Sequence, residues 1–289
     1  LDQNYLAPFG CSVHSLLTYN NNLVDQIFVL HDSQLMETKK FHQVKEFLLQ
    51  KFGKKVNSVI VDSGDFENLK IDNHLSVATY YKLMIPFLLP EKLDSILSLD
   101  CDTIVTNRLP EFYDNIFKST PGQFACAVDH ELPQNEIDHL KKISPIKKYF
   151  NAGVIFMNLK LIRSNFDTNG FLEFSSKYST YLTFHDQDVL NVHFQDKWIE
   201  LPYEYNGFGL EEKVNHIPLI IHYTGNRKPW NLICDHPYKK SYWMTLKQTP
   251  LYSFSARFRQ LISPAITVIT VPAIIALRQF LKECCSFFI

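Results

Sequence analysis

The sequence predicts an α/β protein built around a mostly parallel sheet, and three observations predict it. Short apolar strand-like runs alternate with segments of helical period, the rhythm of βαβ units. Several of those runs end on a carboxylate, the position where open α/β sheets gather ligands. At 289 residues, 46% hydrophobic and 14% aromatic, the chain can bury one large core.

In chain order, QIFVLHD (26–32) and VNSVIVD (56–62) read as strands that each end in Asp. Between them Thr38 to Phe52 has helical spacing, with Phe41, Val44, Phe47 and Leu48 on one face. Ser76 to Ile85 reads as a second helix, capped by Ser76 and ended by Pro86. SILSL (95–99) is a strand leading into Asp100-Cys101-Asp102. FACAVD from Phe124 and AGVIFMNL from Ala152 are buried strands. A helix follows Asp186, WIELP from Trp198 starts a strand, and LIIHYTG from Leu219 is the last one. Beyond about Pro237 the alternation fades, which sets a body of residues 1–236 apart from a basic, aromatic and then apolar tail, 237–289.

Composition removes several function classes. The net charge of −1 gives no footprint for nucleic acid. It is unevenly placed: residues 239–289 carry seven Lys/Arg against one acidic residue, the remainder 22 against 29. With Tyr242, Trp243, Tyr252, Phe254 and Phe258 among those cations, the tail reads as an in-plane anchor for an anionic membrane. The apolar run Ala265 to Leu277, 13 residues including Pro272, falls short of the roughly 20 that cross a bilayer. Six cysteines show no C-x-x-C pair, and Cys101 and Cys126 lie in apolar runs, so buried thiols in a reducing cytosol are expected. No signal peptide is visible, which agrees with a cytoplasmic protein lying peripherally on the inner face of a membrane.

Five clusters carry candidate chemistry. Asp100 and Asp102, one residue apart on a strand exit, can hold a hard divalent cation that also grips a diphosphate, or be a solvated turn. His222 is a good third ligand, and Gly225 and Lys228 follow on one loop, where backbone and ammonium can meet phosphate; the bland alternative is a satisfied histidine before a basic loop. Asp186 can N-cap its helix, or with Gln187 bind sugar hydroxyls, and the two roles are compatible. Asn151 in Phe150-Asn151-Ala152-Gly153 is either a turn residue or a sugar contact, and Gly153 a close-packing position. Asp2 and Asn4, in Asp2-Gln3-Asn4-Tyr5, sit where a first strand would end against a base and ribose.

LSLDCDTIV, YFNAGVIFMNL, HDQDVLN and HYTGNRKPW, in that order, resemble glycosyltransferase family 8, especially the bacterial lipopolysaccharide glucosyl- and galactosyltransferases. The resemblance runs from Asp2 to about Trp230. It implies a single nucleotide-diphospho-sugar transferase domain of GT-A type with a small helical C-terminal tail. It also implies a retaining transfer from a UDP-hexose, with Mn²⁺ or Mg²⁺ as cofactor and a saccharide or glycolipid as acceptor. By motif match Asp100, Asp102 and His222 bind the metal, and Gly225 and Lys228 touch the diphosphate. Asp2 and Asn4 lie near the uridine; Asn151, Ala152, Asp186, Gln187 and Asp129 surround the donor sugar. Two departures stand out. Lys82 occupies a helix position where relatives commonly carry Arg, and Lys lacks the planar fork for a bidentate contact. The family's first strand is cut short at Leu1.

The expected chemistry places the metal and Lys228 at the UDP leaving group, with Asp186 or Gln187 stabilising oxocarbenium-like charge. Gln is a poor nucleophile, which favours attack from the donor's own face. A metal-dependent phosphohydrolase or nucleotidyltransferase also fits an Asp-x-Asp turn, and a non-catalytic saccharide-binding protein fits the fold.

Overall fold

A computed structural model describes residues 1–253 apart from 37, 67–68, 70–76, 111–112 and 209–215. The Ser76 cap, Phe254, Phe258 and the apolar run 265–277 therefore lie outside the described residues. The chain enters through a one-turn 3-10 helix, Gln3–Tyr5, whose cap is Asp2: its Oδ1 accepts from Asn4 N at 2.8 Å and Tyr5 N at 3.2 Å. A 15-residue helix, α1 (Leu6–Asn20), follows directly. Phe9, Cys11, His14 and Leu17 are all buried, so α1 has almost no polar face and carries little amphipathic period.

β1 (Ile27–His31), α2 (Ser33–Met36), α3 (Lys39–Phe52) and β2 (Val56–Ile60) come next. Thr38 caps α3 by accepting from Phe41 N, Gly53 ends it at φ 70°, and Phe41, Val44 and Leu48 form its buried stripe. α4 (Tyr81–Leu88) leads to β3 (Ser95–Leu99), β4 (Thr103–Val105), α5 (Tyr113–Ser119) and β5 (Ala125–Asp129). Then follow α6 (Gln134–Leu140), β6 (Phe150–Asn158), α7 (Leu159–Asn165) and α8 (Thr168–Lys177). α9 (Asp186–His193), β7 (Trp198–Leu201), β8 (Ile220–His222) and α10 (Lys239–Leu246) complete the described chain.

The α/β class stands as expected, while the strand pairing is more mixed than a mostly parallel sheet. β1 pairs β2 and β5 pairs β7 in parallel, but β6 runs antiparallel to both β3 and β5, and β4 antiparallel to β8. All nine residues of β6 are buried, and a strand covered on both faces reads as one apolar run whichever way it points. A register shift between Ala127 and Val128 bends β5 where it nears the site.

α4 does not stop at Pro86; the proline lies inside it. Arg163 of α7 collects the carbonyl oxygens freed around that helix end. Its Nε donates to Pro86 O at 2.5 Å, one terminal nitrogen to Leu93 O at 2.9 Å and Glu91 O at 3.1 Å, and the other to Leu89 O at 3.0 Å and Pro90 O at 3.2 Å. Orphan carbonyls at a C-terminus attract a cation. Arg163→Ala should lower the unfolding free energy by about 2–4 kcal/mol, given charged bonds to partly buried carbonyls. Urea unfolding checks this, and an unchanged midpoint would refute the assignment.

Tyr242, Trp243 and Leu246 of α10 are buried with Cys11, Ile104, Ile221 and Tyr223, and Trp243 Nε1 donates to Pro229 O at 3.0 Å. These two aromatics belong to a core cluster and are not available to a membrane, which corrects their reading as anchor residues. Cys126 is buried as expected, while Cys101 is only partly so, because its turn faces a cavity. Among the described residues no helix is long and apolar enough to cross a membrane.

Candidate active site

The site begins with the turn between β3 and β4. Asp100 N donates to Gly153 O at 2.7 Å, and Thr103 Oγ1 donates back to Asp100 O at 2.8 Å. Beyond the turn, β4 pairs with β8 so that Thr103 faces His222, and Tyr223 N donates to Asp102 O at 2.9 Å. His222 and Tyr223, far away in sequence, are thereby fixed beside the turn that carries Asp100 and Asp102. His222 Nε2 lies 3.3 Å from Asp102 Oδ1 and 3.8 Å from Asp100 Oδ2. One ligand atom from each of the three residues falls within 4.8 Å of the others.

The imidazole can occupy this place only because residue 153 is glycine. A Cβ there would lie 1.9 Å from His222 Cε1. Asp102 Oδ1 is buried without a hydrogen bond. An orphaned carboxylate oxygen beside a second carboxylate and an imidazole nitrogen is a donor set that fits a divalent cation.

Two lysines compensate the carboxylates. Lys82, in the first turn of α4, lies 2.8 Å from Asp100 Oδ1 and 3.4 Å from Asp186 Oδ2, and donates to Ala152 O at 2.8 Å. Burial alone would push its ammonium down, but Asp100 and Asp186 outweigh that and raise it above the usual lysine range. Lys228 is ion-paired with Asp102 Oδ2 and donates to Tyr223 O. Burial disfavours the Asp102 anion, yet His222, when its imidazole carries both protons, and the Lys228 ammonium hold its carboxyl well below the usual range. Asp186 is pushed up to about 6, chiefly by burial, with Lys82 opposing.

Asp186 is the first residue of α9, and the cap position belongs to His185. His185 has φ 46° and ψ −111°, a conformation L-residues rarely adopt, and Tyr80 OH lies 3.1 Å from its Nδ1. Such a backbone costs on the order of 1–3 kcal/mol and persists where surroundings enforce it. It aims Asp186 at Lys82. Gln187, the next residue, accepts from Ala152 N at 2.9 Å and donates to Tyr149 OH at 2.9 Å. Tyr149 OH in turn donates to Asp188 Oδ1 at 2.6 Å, and Asp188 Oδ2 accepts from Thr183 N and Phe184 N, both at 2.7 Å.

Burial pushes Asp188 up to about 6 from 3.8, against the hydrogen bonds that favour its charged form. A carboxyl with a raised folded value holds its proton more tightly in the folded state. Its stabilising share is complete below about pH 4 and is lost as the pH rises through about 6. Between about pH 4 and pH 7 the protein should lose on the order of 3 kcal/mol of unfolding free energy relative to Asp188→Asn. Parallel urea titrations at the two pH values check this; equal pH slopes would contradict it.

Asp2, Asn4, Lys82, Asp100, Asp102, Asp186 and Lys228 line one cavity of about 920 Å³. Asn151 and Ala152 stand behind it on β6. Asp129 ends β5 opposite Phe150 and is not among the residues that line the cavity. Gly225, at φ 62°, makes the turn after β8 with open space beside its Cα. Sequence reasoning missed Asn206, Tyr149 and Asp188. Asn206 Oδ1 lies 3.0 Å from His222 Nδ1, and its Nδ2 donates to Asn151 Oδ1 at 2.8 Å. The pair Asn206-Gly207 resembles an ordinary turn dipeptide, and nothing local marks it as a partner of a histidine 16 residues on.

The profile of glycosyl transferase family 8 matches residues 1–234. General stress protein A of Bacillus subtilis (strain 168) is 26% identical over 268 residues, 86% of this chain and 91% of that protein. A lipopolysaccharide 1,2-glucosyltransferase of Escherichia coli is 28% identical over 246 residues, 80% of this chain and 71% of its own. The crystal structure of galactosyltransferase LgtC in complex with donor and acceptor sugar analogues superposes with a TM-score of 0.75 at 20% identity, covering 90% of this chain and 98% of that one. At that identity the likeness shows the fold.

Proposed function

We propose, from the premise that the chain belongs to glycosyl transferase family 8 and is a glycosyltransferase, that it moves glucose or galactose from a UDP-sugar to a saccharide acceptor with retention. The acceptor class is lipopolysaccharide or another cell-surface glycan, as the relatives' names suggest. The observation that carries the reading is the convergence of Asp100, Asp102 and His222 on one point, with both aspartates on the wall of a cavity whose other polar groups suit a sugar nucleotide. Asp100, Asp102 and His222 would hold Mn²⁺ or Mg²⁺, which would supply Lewis-acid charge for a diphosphate leaving group.

The chain's own residues do the rest. Lys228, anchored on Asp102, presents a compact positive charge to phosphate oxygens, and Gly225 lets backbone approach them. Asp2 and Asn4 line the cavity where a uridine would lie. Lys82 binds Asp100 and Asp186 at once and so fixes the diphosphate end and the sugar end relative to each other. Asp186 and Gln187 face the sugar with Asp129, Asn151 and Ala152 beside them, and Asp186 stabilises positive charge at the anomeric carbon. Gln187 is anchored at both ends of its amide, which suits orientation rather than nucleophilic attack.

The test is Mn²⁺-dependent release of UDP from a panel of UDP-sugars, with product analysis. UDP plus a new glycoside is expected; phosphate or sugar phosphate would overturn the reading. The same proposal puts the enzyme peripherally on an anionic cytoplasmic membrane face through residues 254–289. The full chain should bind anionic vesicles more tightly than a chain ending at Ser253, and equal binding would remove the membrane from the proposal.

A further inference from the structure

We propose that Asn206 is a positioning residue for the cation site, holding the His222 imidazole in the tautomer that turns a bare Nε2 toward Asp100 and Asp102; this deepens the metal reading and rests on it. The backbone N–H of Gly153 can only donate, and it donates to Asn151 Oδ1 at 3.0 Å, which settles which end of the Asn151 amide is the oxygen. That oxygen also faces Asn206 at 2.8 Å, so the Asn206 group there is its NH₂. The other end of the Asn206 amide is therefore a carbonyl oxygen, 3.0 Å from His222 Nδ1. An acceptor at that position requires Nδ1–H, and a neutral imidazole with Nδ1–H carries its lone pair on Nε2.

Asn206 is fully buried, Asn151 and His222 are 5% and 4% exposed, and water does not compete for these bonds. Nε2 then points a lone pair at Asp102 Oδ1, 3.3 Å away, an oxygen that itself lacks a hydrogen bond. Two acceptors held face to face call for a cation between them. Partners of this kind fix ligand orientation and are commonly worth about 10–100-fold in metal affinity.

The experiment combines imidazole ¹⁵N NMR of His222 with Mn²⁺ titration of the full chain in the absence of donor. The wild type should show Nδ1–H and bind Mn²⁺. Asn206→Ala should bind it about 10–100-fold more weakly with mixed tautomers. Asn206→Asp, which keeps an acceptor against Nδ1–H, should retain the Nδ1–H form and bind more tightly than Asn206→Ala. An Nε2–H tautomer in the wild type overturns the role of Asn206 even if Asn206→Ala does not fold. Unchanged affinity in Asn206→Ala does the same, with the metal reading intact. No Mn²⁺ binding by the wild type sinks the metal reading and this inference with it.

Discussion

Asp102→Ala is expected to remove sugar transfer and its metal dependence together, with a loss on the order of 10³-fold or more in kcat/KM. Asp102 is the one carboxylate of the site that meets both His222 and Lys228. Its removal takes away a cation ligand and strands the Lys228 ammonium in a largely buried position. Breaking one side of such a pair costs about 3–5 kcal/mol, so part of the effect will appear as lower stability. Asp102→Asn separates the two: it keeps the side-chain volume, and Mn²⁺ should no longer raise its Tm. Chelator-treated Asp102→Ala turning over at the wild-type rate would show that the carboxylate does not serve a cation.

Gly153→Ala should be nearly as damaging although residue 153 needs to contact no substrate. The added methyl would sit 1.9 Å from His222 Cε1 and 2.5 Å from its Nδ1. Neither β6 nor the ring can yield easily: Gly153 O accepts from Asp100 N, and His222 is held by Asn206. Overpacking of this kind costs about 1–3 kcal/mol. The displaced imidazole should weaken Mn²⁺ binding by at least about 100-fold. Titration calorimetry on folded protein reads it, and wild-type affinity in Gly153→Ala would mean that His222 is not a ligand.

The strand exits that carry Asp100, Asp102 and His222 were legible because apolar runs ending in polar residues are a local pattern. The helix Lys39–Phe52 was legible for the same reason, with a cap at Thr38 and a clear buried stripe. α1 was not, since a helix buried nearly all round has no period to detect and Pro8 and Gly10 argue against it. Pro86 misled because a proline near the end of a short helix removes a single bond to the carbonyl four residues back, while the carbonyl oxygens at the helix end are taken up by Arg163. The direction of β6 could not be read at all, because two covered faces look alike from either end. Asn206, Tyr149 and Asp188 act through partners 16 to 55 residues distant, and no window along the chain contains both members of such a pair.

Arg163 matters beyond the helix end it neutralises. It belongs to α7, which follows β6 without a loop, Asn158 ending the strand and capping the helix at once. The same stretch, 150–165, thus grips α4 twice: Ala152 O receives the Lys82 ammonium at one end and Arg163 ties the other. α4 is a beam pinned at both supports to a single rigid piece, and the cation it carries has little freedom to drift. Loosening the distant support should let Lys82 wander between Asp100 and Asp186, so variants of Arg163 that stay folded should turn over more slowly, without touching the cavity.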